Sequence, residues 1–256
     1  MKLFENRQLI IATKHQKEKT IAPILEVELG VHCITRNDLD TDLLGTFTGE
    51  VERVLSPVEA MRKKCMIAIE SSAITLAVAS EGSFGPHPFI PFSIIGEEYM
   101  MMLDLENNLE IVVKEISSKT NFSGKEIKSE SELLKWANEI GFPDHAVILR
   151  QDRNTAENIY KGITDKDSLQ NTFRLLQNLH RTVWVETDMR AMFNPTRMHR
   201  IGELAKLLVK DVQKSCPKCS MPGFVVTAVE PGLPCSLCGA KTKSIKLHIH
   251  VCKHCN

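Results

Sequence analysis

Six of the chain's eight cysteines fall in its last 41 residues, as three Cys-x-x-Cys pairs: Cys216/Cys219, Cys235/Cys238 and Cys252/Cys255. Gaps of 15 and 13 residues separate the pairs. A Cys-x-x-Cys turn aims two sulfurs at one point, and two such knuckles supply the four soft ligands of a tetrahedral zinc site. Gaps of this size suit a β-hairpin that folds back and brings two knuckles together. The pattern predicts a zinc ribbon over residues 215–256. Two ligand sets stay open: Cys216, Cys219, Cys235 and Cys238, or a ribbon closed by Cys252 and Cys255. A second ion would need eight ligands, for which His248, His250 and His254 are at hand. A closed site has no open coordination position, so the ribbon is expected to stabilise or dimerise, or to touch a partner or nucleic acid through its loops.

Reading the pairs as metal ligands rather than disulfides presumes a reducing compartment. The apolar run Leu9–Ala12 near the start is shorter than a signal-peptide core, and no stretch approaches the ~20 apolar residues of a membrane helix. A cytoplasmic chain without a membrane partner is the expectation. Lys+Arg and Asp+Glu balance at 32 each, which argues against a globally basic nucleic-acid binder. Charge is nevertheless segregated. Residues 206–256 hold eight lysines against Asp211 and Glu230, a net +6 offset by −6 over residues 1–205.

Residues 1–214 read as an α/β body with a mixed sheet and flanking helices. Strands are expected at 8–12, 31–35, 74–79, 89–95, 99–105, 109–116, 145–149 and 182–186, with a hairpin turn at Asn107-Asn108. Helices are expected over 17–29, from Ser56 to about 71, over 129–140, over 165–179, and from 196 to about 213. Ser56 with Glu59, and Ser129 with Glu132, are capping boxes. Asn194-Pro195 is a helix start. Cys33 and Cys65 read as core.

Four polar segments could carry chemistry. Glu81-Gly-Ser-Phe-Gly-Pro-His-Pro88 is expected as a rigid loop after a buried strand, where α/β sheets bind ligands, displaying Glu81 and His87 as catalytic groups. Thr13-Lys14-His15-Gln16-Lys17 is the first strand-to-helix turn, suited to an anion, with charge from Lys14 and Lys17. Glu186 to Arg197 combines carboxylates suited to Mg²⁺ (Glu186, Asp188) with arginines suited to phosphate oxygens (Arg190, Arg197). The loop from Asp40 to Arg53, with Glu50, could also hold a nucleotide or a metal.

Over most of its length the chain resembles a bacterial family that ends in a zinc ribbon. The resemblance is carried by Ala12-Thr-Lys-His15, Gly45-Thr-Phe-Thr-Gly-Glu50, Ala79 to His87, and Glu186-Thr-Asp-Met-Arg-Ala191 with Asn194-Pro-Thr-Arg197. Residues 9–85 are also similar to the inosine/xanthosine triphosphate pyrophosphatases. That likeness rests on Ile10-Ile-Ala-Thr-Lys-His-Gln-Lys17, Glu59-Ala-Met-Arg-Lys-Lys-Cys65, Leu76 to Ser80 and Glu81-Gly-Ser83, although His15 stands where that family has Asn. It implies a Mg²⁺-dependent hydrolase of a nucleotide or another phosphorylated small molecule. Glu81 would hold metal or orient water on this resemblance; Glu50, Glu186 and Asp188, read from their own segments, are the further candidates for metal. Thr13, Lys14 and Lys17 would bind the phosphates on this resemblance; His15 beside them, and Arg190 and Arg197 from the segment after the last strand, are further candidates for substrate binding. The other expectation is a non-enzymatic module that senses an anion and uses the ribbon for nucleic acid or protein.

Overall fold

The computed structural model describes residues 3–36, 54–70, 72–154 and 157–255. Its body holds two sheets. The first has the order β2-β1-β3-β4-β5, formed by β1 (Gln8–Ala12), β2 (His32–Thr35), β3 (Leu76–Pro86), β4 (Ile94–Asp104) and β5 (Leu109–Ser117). β1 runs parallel to β2 and β3, and the rest is an antiparallel meander.

This sheet is covered on both faces, which is why the facing stretches 9–12, 76–79 and 100–103 of its central strands are apolar at every position. Leu9, Ile11, Leu76, Val78, Met100 and Met102 face one core, with α1 (Glu18–Leu29) and α5 (Pro195–Val212). Ile10, Ala12, Ala77, Ala79, Met101 and Leu103 face the other, with α2 (Pro57–Glu70) and its buried Cys65. The helix ends follow the local chemistry expected of them. Ser56 and Glu59 form the capping box, with Ser56 N–H donating to Glu59 at 2.9 Å and Glu59 N–H to Ser56 Oγ at 3.3 Å. Asn194 caps α5 by accepting from Arg197 N–H at 3.0 Å, with Pro195 in the first turn. At Gly202 a Cβ would lie 2.9 Å from Thr20 Cγ2, so glycine lets α5 close on α1.

The second sheet is antiparallel throughout, in the order β6-β9-β7-β8: β6 (Gly124–Ile127), β7 (Val147–Arg150), β8 (Tyr160–Ile163) and β9 (Val183–Thr187). α3 (Glu130–Glu139) and α4 (Lys166–Leu179) close one face over Leu133, Trp136, Leu149, Phe173 and Val185. Sequence patterning does not separate this sheet from the first. Its two edge strands escape the pattern because each contributes one buried residue, Ile127 or Ile163.

One segment is corrected outright. Residues 81–86 are strand, not loop, since β3 and β4 pair continuously from Leu76↔Asp104 to Pro86↔Ile94. Gly82 and Gly85 look like loop signals but sit in the ladder, while residues 88–92, expected in part as a strand over 89–95, turn the hairpin before β4 begins at Ile94.

The ribbon is one antiparallel pair, β10 (Val226–Pro231) and β11 (Ile245–His250), solvent-exposed along its length. It joins the body at its base. Phe224 N–H donates to Lys214 O at 2.9 Å, and the α-carbon of Gly223 packs so tightly on Ile111 that a Cβ would meet its side chain at 2.8 Å. Among the described residues no helix is long and apolar enough to cross a membrane.

Candidate metal centre and cationic cluster

An antiparallel hairpin sets the residue entering its first strand beside the residue leaving its second. Here Val226 pairs with His250, so the knuckle preceding β10 meets the knuckle following β11. Cys216, Cys219, Cys252 and Cys255 converge, with all four sulfurs within 4.8 Å of one another. Cys216 Sγ lies 3.8 Å from Cys255 Sγ, and Cys219 Sγ lies 3.6 Å from Cys252 Sγ. A tetrahedral zinc with ~2.3 Å bonds to sulfur has edges of ~3.8 Å, so the donor set and its spacing fit zinc. Of the two ligand sets open from spacing, the structure selects the one closed by Cys252 and Cys255. Cys235 and Cys238 lie at the opposite end of the hairpin.

The four sulfurs also call for a cation. Backbone N–H groups of Cys255 and His254 lower the Cys252 thiol to about 6. Cys255 is pushed up to about 12, first by its hydrogen bond to Cys219 and then by burial among the other thiols. Thiolates this close cannot all form unless a metal takes the place of the protons. Among the described residues no other group of three or more His, Cys, Asp or Glu side chains converges in this way.

Among the described residues nothing supports the magnesium expectation. The Glu81 carboxylate is ion-paired with Lys64. Glu186 accepts from Arg150 at 3.0 Å and from Trp184 Nε1 at 2.8 Å. The fully buried Asp188 carboxylate binds Arg190 at 2.6 Å and accepts the Gly162 N–H at 3.1 Å. Asp188 and Arg190 therefore neutralise each other and fix the turn into α5. Glu81, Glu186 and Asp188 do not converge, and Glu50 lies outside the described residues. His87 does not join Glu81 either. It is six residues along a continuous strand, roughly 20 Å away. There its Nδ1 accepts the N–H groups of Phe89 and Ile90, closing the hairpin turn.

Other predicted residues do come together. At the carboxyl ends of β1 and the parallel part of β3, Lys17 is buried at 7% exposure. Its ammonium donates to Ser80 O at 3.1 Å and Ser80 Oγ at 3.0 Å. Burial, followed by the nearby charge of Arg197, lowers Lys17 to about 7; Glu81 and Glu98 oppose that shift, and Lys64 adds to it. Arg197, 3% exposed on the first turn of α5, binds Glu98 at 2.6 Å and donates to Met189 O. Its guanidinium packs against Gly82, where a Cβ would come within 2.5 Å, and stacks 5.2 Å from the Phe84 ring. Gly82 is therefore required by the arginine and not by a turn. Among the described residues, Lys64, Glu81 and Glu98 join them in a cluster of three cations and two carboxylates drawn from five segments. Thr13 Oγ1, in the turn after β1, is buried and has no hydrogen-bond partner among the described residues. In the same turn Lys14 is exposed and His15 half-buried.

Lys64, Ser80 and Glu98 were not anticipated from sequence. Glu98 did leave a signal: it shares strand phase with Gly96, Met100 and Met102, so alternation turns a carboxylate inward.

A protein-family model, described as a domain of unknown function (DUF6671), matches residues 64–256, three quarters of the chain. The chain belongs to the DUF6671 family. The family's matched region holds Lys64, Glu81, Glu98, Arg197 and all six ribbon cysteines, while β1, α1, Thr13 and Lys17 precede it. No curated protein matches the chain. Nothing in these comparisons supports the likeness to triphosphate pyrophosphatases.

Proposed function

We propose that the body binds a small phosphorylated ligand at the Lys17–Lys64–Arg197 cluster, and that one zinc ion on Cys216, Cys219, Cys252 and Cys255 fastens the ribbon to it. The observation that carries the first half is Lys17. A buried ammonium without a full counter-charge among the described residues costs stability, and here it stands at the carboxyl ends of parallel strands, four residues after Thr13, whose buried hydroxyl has no partner among the described residues. A phosphate at this place would take hydrogen bonds from Lys17, Lys64 and Thr13 and supply the missing negative charge. Binding is the reading that Lys17 supports, and turnover is an outcome to be measured.

The test is a thermal-shift and phosphate-release screen over inorganic phosphate, pyrophosphate, nucleotides and sugar phosphates, with wild type beside Lys17→Met. At least one phosphorylated compound is expected to raise the wild-type melting temperature by several degrees, and the shift should vanish in the variant. Equal shifts in both proteins, or none in either, would overturn the assignment. Phosphate release abolished by Glu81→Gln would extend the reading from binding to hydrolysis.

A further inference from the structure

The Cys235–Ala240 turn repeats the Cys216–Met221 knuckle bond for bond. Cys216 N–H donates to Met221 O at 2.8 Å, and Cys235 N–H to Ala240 O at 2.8 Å. Ser220 N–H returns to Cys216 O at 2.8 Å, and Gly239 N–H to Cys235 O at 2.9 Å. The residue four positions after the first cysteine is left-handed in both, Ser220 at φ 61° and Gly239 at φ 71°. In both turns the N–H groups two and three residues on point at the first sulfur, and the two thiols of the second turn touch each other. The knuckle at the hairpin tip thus has the backbone of a metal site and half the ligands.

The chain's own histidines do not supply the rest. His248 pairs with Val229 and His250 with Val226, whereas Ile245 pairs with Pro231 nearer the tip. His248 is three residues behind Ile245, roughly 10 Å back along the strand. At the base of the ribbon this molecule builds a complete site by joining two knuckles.

We propose that the tip knuckle completes a second zinc site with the same knuckle of a second copy of this chain, giving a two-fold dimer bridged by four thiolates from Cys235 and Cys238. This rests on the reading of the Cys-x-x-Cys turns as zinc ligands. A two-fold axis through the ion turns two sulfurs into four without any further residue. Charge agrees: zinc on four thiolates carries −2, and the exposed Lys241 and Lys243 follow the knuckle directly. So does shape. Leu237, between the cysteines, is 95% exposed, and Leu233 beside it is 47% exposed. Across a two-fold axis these leucines cover their counterparts.

Native mass spectrometry of the full, reduced, zinc-loaded chain tests this. The expected species is a dimer with three zinc ions. In Cys235→Ser/Cys238→Ser it becomes a monomer with one, which also reports that the variant's base knuckles still fold. A wild-type monomer with one or two ions, a dimer with two, or a dimer surviving in the variant would overturn the proposal. A dimer with a single ion, lost in the variant, would instead uphold the shared site and overturn the quartet. A zinc titration of wild type reads the same point without mutation. Dimer is expected to grow between 1.0 and 1.5 equivalents per chain, and dimer at zero zinc would contradict the bridge.

Discussion

In the body, residues 9–12 of β1 and the first half of β3 are buried on both faces, whereas every residue of β10 and β11 is exposed. The two regions therefore hold their shape by different physics. The first sheet closes two apolar cores, and charge enters at its ends: Asp104 with Arg7 at one, and Lys17, Lys64, Glu81, Glu98 and Arg197 at the other. The ribbon has no core of its own, and its order depends on what joins its two ends. A fold held by burial loses stability in proportion to the atoms removed. A fold held at one metal centre loses it all at once.

The largest effect separates the two regions completely. Chelation, or Cys216→Ser with Cys255→Ser, should unfold residues 215–255 and leave the body folded, because a structural zinc contributes on the order of 10 kcal/mol and nothing else in the ribbon replaces it. Limited proteolysis checks this: cleavage confined to the ribbon agrees, and uniform digestion breaks the comparison. Next comes the body's own apolar packing. Leu208→Ala on α5, fully buried, should cost about 2–5 kcal/mol in denaturant unfolding, against under ~1 kcal/mol for Ile249→Ala on the 40%-exposed ribbon strand.

A comparable loss is expected from Arg197→Ala, which leaves Glu98 buried without its partner, about 3–5 kcal/mol. Adding Glu98→Gln should recover part of it, and a strictly additive double variant would show the pair is not coupled. Lys17→Met runs the other way, raising stability at neutral pH by about 1 kcal/mol or more while removing ligand binding. The sign with pH follows from the depressed ammonium. Between its folded value of about 7 and its ordinary value of 10.5 the unfolded chain holds more protons, so wild-type stability from this group rises as pH rises through that window. The Met variant should lack that rise.

Local chemistry was legible where the cause is local. Ser56/Glu59, Ser129/Glu132 and Asn194-Pro195 marked three helix starts, each confirmed by its capping hydrogen bond. The three knuckles marked the ribbon. Their pairing was not legible, because gaps of 15 and 13 residues fit either choice and only the hairpin register decides. The cluster was half legible. Thr13, Lys17, Glu81 and Arg197 came from three segments whose convergence no spacing encodes, and Lys64 lies on a helix that otherwise reads as plain amphipathic. His87 stands apart from Glu81 because residues 81–86 continue a strand, and Glu81, Glu186 and Asp188 each have a lysine or arginine partner, which no spacing in the sequence announces.

The central claim is that Lys17 is an ammonium waiting for an anion. The most direct measurement is a titration of its side-chain nitrogen by NMR on the full chain labelled with ¹⁵N-lysine, with and without saturating pyrophosphate. A resonance that titrates near 7 in the free protein, and moves up by at least one pH unit when pyrophosphate is bound, is the predicted result. A Lys17 that titrates with the surface lysines near ~10.4 and ignores the anion would contradict it.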